Sequence, residues 1–145
     1  MGFWIWFFPA TYLLHILEES FAGERFYNWT GRVIGRRIPV RTFMAMMIAA
    51  VFTLQAGGPP WLLPALGTIT AANGLGHQAG TLATRSYSPG LFTGLLLWTP
   101  LGLAALQLSR PALPAPVWGL GLAAGLIVSG VVVGLAFAVS RKATT

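Results

Sequence analysis

Apolar residues dominate the chain in long blocks, and polar residues are confined to the gaps between them or to narrow stripes within them. A membrane-spanning helix needs about 20 mostly apolar residues. Five segments meet that description: Gly2–Phe21, Thr42–Gln55, Trp61–Thr84, Leu91–Ser109 and Val117–Ser140, the second short and starting among the residues before Thr42. The pattern predicts an all-α fold, an integral membrane helical bundle of about five transmembrane helices in a single domain over residues 1–145. The N-terminus lacks a basic region ahead of its apolar run and a small-residue cleavage site after it, so the first segment reads as a retained helix.

Within this background the third segment carries Thr70, Asn73, His77, Thr81 and Thr84. Their 3-4-4-3 spacing places all five on one stripe of an otherwise apolar helix. The first segment carries His15, Glu18 and Glu19, which also share a face. Gly76 and Gly80 flank His77 in a small-xxx-small pattern that predicts close approach of a neighbouring helix backbone. Gly121, Gly125, Gly130 and Gly134 repeat that pattern in the fifth segment. This marks it as a packing element within the bundle or between the protomers of a homodimer.

Composition supports the lipid reading. Hydrophobic residues make up 55% of the chain and charged residues 8%, against about 25% charged in a soluble domain. The absence of cysteine excludes disulfides, thiolate ligands and thiol nucleophiles. Basic residues set the orientation. Arg25, Arg32, Arg36, Arg37, Arg41, Arg85, Arg141 and Lys142 fall on one side of the predicted bundle and Arg110 alone on the other. By the positive-inside rule the N-terminus lies outside and the C-terminus in the cytoplasm, in a cytoplasmic (inner) membrane. Trp4, Trp6, Trp61 and Trp118 fall near the outer ends, where aromatic belts belong.

The net charge of +6 then reflects topology and contact with anionic lipid headgroups; no nucleic-acid partner is expected. Phe26, Tyr27 and Trp29 interleave with the arginines of the first connection, which predicts an interfacial amphipathic segment. Glu24 and Arg25 are expected to form a solvated pair.

All three acidic residues of the chain are Glu18, Glu19 and Glu24, and both histidines are His15 and His77. An ionisable side chain near the bilayer centre costs roughly 2.5–3.5 kcal/mol on insertion scales, so Glu18 and Glu19 beside His15 mark a functional site. At 1.5 Å per residue, His15 and His77 both fall on the order of 10 Å below the cytoplasmic surface. They meet at one depth on different helices. The turn Arg85-Ser86-Tyr87-Ser88-Pro89-Gly90 brings Tyr87 and Arg85 over the same mouth.

The motifs His15-x-x-Glu18-Glu19, Asn73-x-x-x-His77 and Tyr87-x-Pro89-Gly90, in that order, resemble the HXXEE-domain family of small bacterial integral membrane proteins. The resemblance runs from the first helix to the start of the fourth. It implies that these residues carry the family's role, whose activity is uncharacterised.

Imidazole and carboxylate donors suit zinc first, with iron or manganese as alternatives, and do not suit copper(I) or iron–sulfur clusters. His15, His77 and one of Glu18 or Glu19 would be metal ligands, and the other glutamate the general base. Tyr87, Arg85 and Asn73 complete the expected catalytic set as groups for a developing oxyanion. The predicted activity is metal-dependent hydrolysis of a lipid, isoprenoid or lipidated substrate at the cytoplasmic leaflet. A metal-free glutamate-dependent intramembrane hydrolase and a proton- or cation-coupled transporter or channel use the same inventory.

Overall fold

The computed structural model describes residues 2–37, 44–139 and 141–142. They form six helices: α1 (Phe7–Phe21, preceded by a 3₁₀ turn, Phe3–Trp6), α2 (Phe26–Ile34), α3 (Met44–Gln55), α4 (Leu62–Thr84), α5 (Leu91–Ser109) and α6 (Ala115–Val139). The architecture is all-α apart from one two-residue antiparallel ladder pairing Arg36 with Lys142 and Arg37 with Arg141. The expected beginning of the second span, at Thr42, lies outside the described residues, as do Arg41 and Ser140.

Two of the helices, Leu91–Ser109 and Ala115–Leu135, are long and apolar enough to cross a membrane. Of the other expected spans, α1 and α3 have 15 and 12 residues, and α4 carries the polar stripe. Each of the two apolar helices leaves a side uncovered by protein. Leu126, Ile127, Val131, Val133 and Leu135 of α6 and Leu95, Leu96 and Leu103 of α5 are all exposed.

Helix α4 is the central element, and glycine lets its neighbours reach its backbone. A Cβ at Gly102 of α5 would lie 2.5 Å from Gly67 O, and one at Gly74 would lie 2.6 Å from Gly94 O. On the other side, Gly121 and Gly125 of α6 press on Trp61 O and Ala65 O, the packing role expected of that pair. The Gly130 and Gly134 pair faces open space instead. Gly76 and Gly80 do not receive the helix backbone expected of their spacing. A Cβ at Gly76 would meet nothing within 4 Å, and Gly80 faces the Trp29 ring, not a helix backbone. The glycines that admit a helix are Gly67 and Gly74, which lie one heptad apart on the opposite face.

Pro9 sits in the first turn of α1, where its missing N–H costs no hydrogen bond. In α5, Pro100 falls inside the helix, and the five residues before it but one, Gly94–Trp98, widen into a π turn. A wider turn relieves the clash of a proline ring with the preceding turn, and π turns recur at functional sites. This one directs Trp98 inward, where it is 2% exposed. The main core joins Ile5, Phe8 and Tyr12 to Val51 and Leu54 of α3, Leu66 of α4 and Trp98.

The ladder between residues 36–37 and 141–142 holds the connection after α2 beside the residue pair after α6. Trp29 Nε1 donates to Ser86 Oγ (3.4 Å), which adds the turn after α4 to the same end. Most of the basic residues are thereby gathered at one end, with Arg110 in the opposite connection. Glu24 pairs with Arg32 (2.6 Å) and not with Arg25. The Arg32 guanidinium holds the Glu24 carboxyl below its ordinary value.

Candidate metal centre

Helix periodicity puts His15 and Glu19 four residues apart on the inward face of α1, and both are buried. His77 arrives from α4 and is buried as well. The two imidazoles meet edge to face, with ring centroids 4.8 Å apart. One Glu19 oxygen, Oε1, lies 3.6 Å from His15 Nε2 and 3.4 Å from His77 Nε2. These separations exceed an ordinary N–H···O bond of about 2.7–3.2 Å. They match a shared ion, because bonds of about 2.0–2.2 Å place tetrahedral ligand atoms roughly 3.3–3.6 Å apart. One donor atom from each residue lies within 4.8 Å of the others, so the trio can hold a metal ion.

The far side of each ring is fixed. His15 Nδ1 lies 2.6 Å from Thr93 Oγ1, and His77 Nδ1 lies 3.2 Å from Ser88 Oγ. Thr93 Oγ1 in turn donates to Glu18 Oε2 at 2.6 Å. A hydroxyl has one proton. Because it goes to the carboxylate, Thr93 accepts from His15 Nδ1–H, and the Nε2 lone pair is left facing Glu19 and His77. His15 Nε2 is buried without a hydrogen-bond partner. A buried acceptor of this kind is costly unless something binds it, and an imidazole tied through its other nitrogen is the usual state of a metal ligand.

Glu18 lies outside the trio. Its carboxylate accepts from Tyr87 Oη (2.5 Å), from the backbone N–H groups of Phe92 (2.9 Å) and Thr93 (2.7 Å), and from the Thr93 hydroxyl. It therefore acts as a remote cap on the first turn of α5, which has no side-chain cap of its own. Tyr87 is committed to Glu18. Burial, then the hydrogen bond and charge of Glu18, push its phenol above its ordinary value.

A sequence model for proteins of unknown function with HXXEE motif matches residues 6–105. The chain belongs to this family. No curated protein and no solved structure matches it. In this chain the motif's His15 and Glu19 face His77, while Glu18 braces the turn that carries Tyr87. The two glutamates of the HXXEE motif thus meet different surroundings.

Of the remaining expected residues, Asn73 adjoins His15 and acts on its imidazole, and its Oδ1 is buried without a partner. Arg85 is exposed at the end of α4 in the left-handed region (φ 51°). Spacing alone pointed to none of Thr93, Ser88 and Trp98, and it marked Gly90 only as a turn residue of the Tyr87-x-Pro89-Gly90 motif. Gly90 adopts φ 98°, and a Cβ there would lie 2.7 Å from both imidazoles. Trp98 stacks on His15 at 4.4 Å and on Tyr12 at 5.3 Å. Phe26 tilts over His77 at 5.5 Å, and Trp29 of the same helix is buried. The apolar face of α2 thus covers the centre, which the reading of this segment as interfacial did not foresee.

Proposed function

We propose that this HXXEE-family chain is a membrane-embedded, metal-dependent enzyme that hydrolyses a lipid, isoprenoid or lipidated substrate from the cytoplasmic leaflet. The observation that carries this reading is the approach of Glu19 Oε1 to both His15 Nε2 (3.6 Å) and His77 Nε2 (3.4 Å) with the opposite ring nitrogens tied to hydroxyls. A divalent ion, zinc before iron or manganese, supplies Lewis acidity when bound by this set.

The chain's own groups have distinct tasks in this scheme. His15, His77 and Glu19 Oε1 would hold the ion, and the other Glu19 oxygen would take a proton from an attacking water. Asn73 offers an amide at the edge of the centre for the substrate carbonyl. Trp98, Tyr12 and Phe26 exclude bulk water, which strengthens charge interactions inside. Glu18, Tyr87 and Thr93 fix the His15 ring, so Glu18 and Tyr87 are positioning residues. Arg85, exposed at the mouth, meets anionic headgroups.

The membrane setting rests on exposure. A soluble protein does not present α6 to water with its apolar side chains uncovered, whereas lipid solvates them. Gathering the basic residues at one end, opposite Arg110, supports five spans with the N-terminus outside and the C-terminus in the cytoplasm of a bacterial inner membrane.

The test is elemental analysis of protein purified in mild detergent. About one zinc, iron or manganese per chain is expected, falling sharply in His15→Ala and His77→Ala. Less than about 0.1 metal per chain after incubation with each of the three ions at neutral pH would overturn the proposal.

A further inference from the structure

A cavity of about 510 Å³ lies between α4 and α6, beneath α2, within the range of roughly 300–1,000 Å³ that holds small-molecule ligands. Its shape follows from its walls. Ile69 and Ala72 of α4 and Val132 and Val133 of α6 make the long sides apolar. Along α4 the lining runs from Ile69 to His77, eight residues or about 12 Å. That approaches the roughly 15 Å depth of one leaflet of a 30 Å hydrocarbon core. At the far end the character changes: Asn73, His77 and Ser88 face the cavity, and Phe26 and Trp29 roof it.

Two further features of the walls bear on what could fill the space. Gly76 and Gly130 line it from opposite walls, and a Cβ added at either would meet nothing within 4 Å. Neither glycine is explained by helix packing. At the polar end, the buried Asn73 Oδ1 is an acceptor without a donor. An occupant that satisfies it must bring an N–H or O–H group.

We infer that this cavity binds a single aliphatic chain whose first polar group donates a hydrogen bond to Asn73, as in a long-chain acyl amide or a long-chain alcohol. Of these two the acyl amide carries a bond for the hydrolysis proposed above, and the inference rests on that reading only for what happens at the His77 end. A chain enters sideways from the leaflet along Gly130, lies between the valines and Ile69, and stops with its polar group at Asn73 and His77.

Trp29 in the roof makes occupancy visible, because bromine on a chain quenches indole fluorescence. The probes are 5-bromododecanamide and 5-bromododecan-1-ol, which carry the donor, and methyl 5-bromododecanoate, which lacks it; in each the bromine lies near the polar end, beneath Trp29. Each is titrated into the full chain in lipid nanodiscs, with Trp29→Phe as the reference for the other tryptophans.

Saturable quenching by the two donor probes is expected, with the ester weaker by about fivefold, the ratio that one hydrogen bond of about 1 kcal/mol produces. Asn73→Ala should erase that difference. Gly76→Leu and Gly130→Leu fill the space from either wall, and leucine favours a helix over glycine. Both should abolish saturable quenching while metal content stays at the wild-type level. Gly119→Leu, whose Cβ also meets nothing but lies away from the cavity, should leave quenching unchanged.

Quenching that rises linearly with probe in the wild type, or that survives both leucine substitutions, overturns the site. An ester that binds as tightly as the amide and the alcohol overturns the donor requirement. Saturable quenching in a protein that takes up no metal would sink the metal reading and leave the chain site standing.

Discussion

Thr93 Oγ1 lies 2.6 Å from His15 Nδ1, and this contact links the two halves of the HXXEE motif through space. Glu18 captures the Thr93 proton, Thr93 accepts from His15, and His15 turns its free nitrogen toward Glu19 and His77. The two adjacent glutamates meet different partners in this chain: Glu19 faces the imidazoles and Glu18 faces the turn that orients them. Helical geometry provides this division, since residues one apart point about 100° away from each other.

Replacing Thr93 with valine keeps the shape and removes the bridge. His15 Nδ1–H then has no acceptor, and the ring loses its preferred tautomer. Loss of the hydrogen bond behind a ligand imidazole lowers metal affinity by about 10–100-fold. Competition against a chromophoric chelator is expected to show that loss in Thr93→Val and near-complete recovery in Thr93→Ser. Equal affinity in wild type and Thr93→Val would remove the bridge from the account.

Gly90 offers a test of packing at the centre. Its φ of 98° disfavours any side chain, and a Cβ would lie 2.7 Å from both imidazoles. Backbone strain costs about 1–3 kcal/mol, and the contact adds to it. Gly35 has φ 66° with nothing within 4 Å, so Gly35→Ala isolates the strain. Gly90→Ala should lower the thermal midpoint more than Gly35→Ala and also reduce bound metal. A Gly90→Ala protein with full metal content would show that the rings can give way.

How much of this was legible beforehand depends on how local the signal is. His15, Glu19 and His77 could be found because charge is rare here, helical spacing fixes their faces, and counting residues fixes their depth. Thr93 and Ser88 could not, since each acts across the fold on a histidine in another helix, and threonine and serine are common helix residues. Gly90 was visible as a turn glycine, but its contact with both imidazoles depends on how α1 and α4 dock. Gly76 and Gly80 misled for a related reason. A small-xxx-small spacing says that a backbone can approach, and only the packing of Gly67 and Gly74 against α5 says on which face it does.

The separate surroundings of the two motif glutamates predict separable phenotypes. Glu19→Gln removes a ligand oxygen's charge and should bring bound metal close to that of His77→Ala, with modest change in stability. Glu18→Gln weakens several hydrogen bonds to a charged acceptor, contacts worth on the order of 1.5–3 kcal/mol each. It should lower the thermal midpoint clearly while retaining most of the metal. Parallel elemental analysis and thermal unfolding of the two variants distinguish them. The opposite assignment, metal lost in Glu18→Gln and kept in Glu19→Gln, would exchange the two roles.

The Tyr87–Glu18 contact also sets a pH dependence. Burial first, and then the Glu18 hydrogen bond and charge, raise the Tyr87 phenol above its ordinary 10.0. The folded protein therefore keeps a proton that the unfolded chain releases near that value. The sign follows from linkage: this contribution to stability is complete below pH 10.0 and is lost as pH rises through the higher folded value. Difference absorbance between wild type and Tyr87→Phe isolates this phenol from Tyr12 and Tyr27. It should titrate above 10.0 in the wild type and move down, though not all the way, in Glu18→Gln, because burial remains the larger cause. The unfolding midpoint should fall more steeply above pH 10.0 in wild type than in Tyr87→Phe. A Tyr87 phenol that titrates at its ordinary value in the folded protein would mean that Glu18 does not hold it, and the brace on α5 would have to rest on the backbone bonds to Phe92 and Thr93 alone.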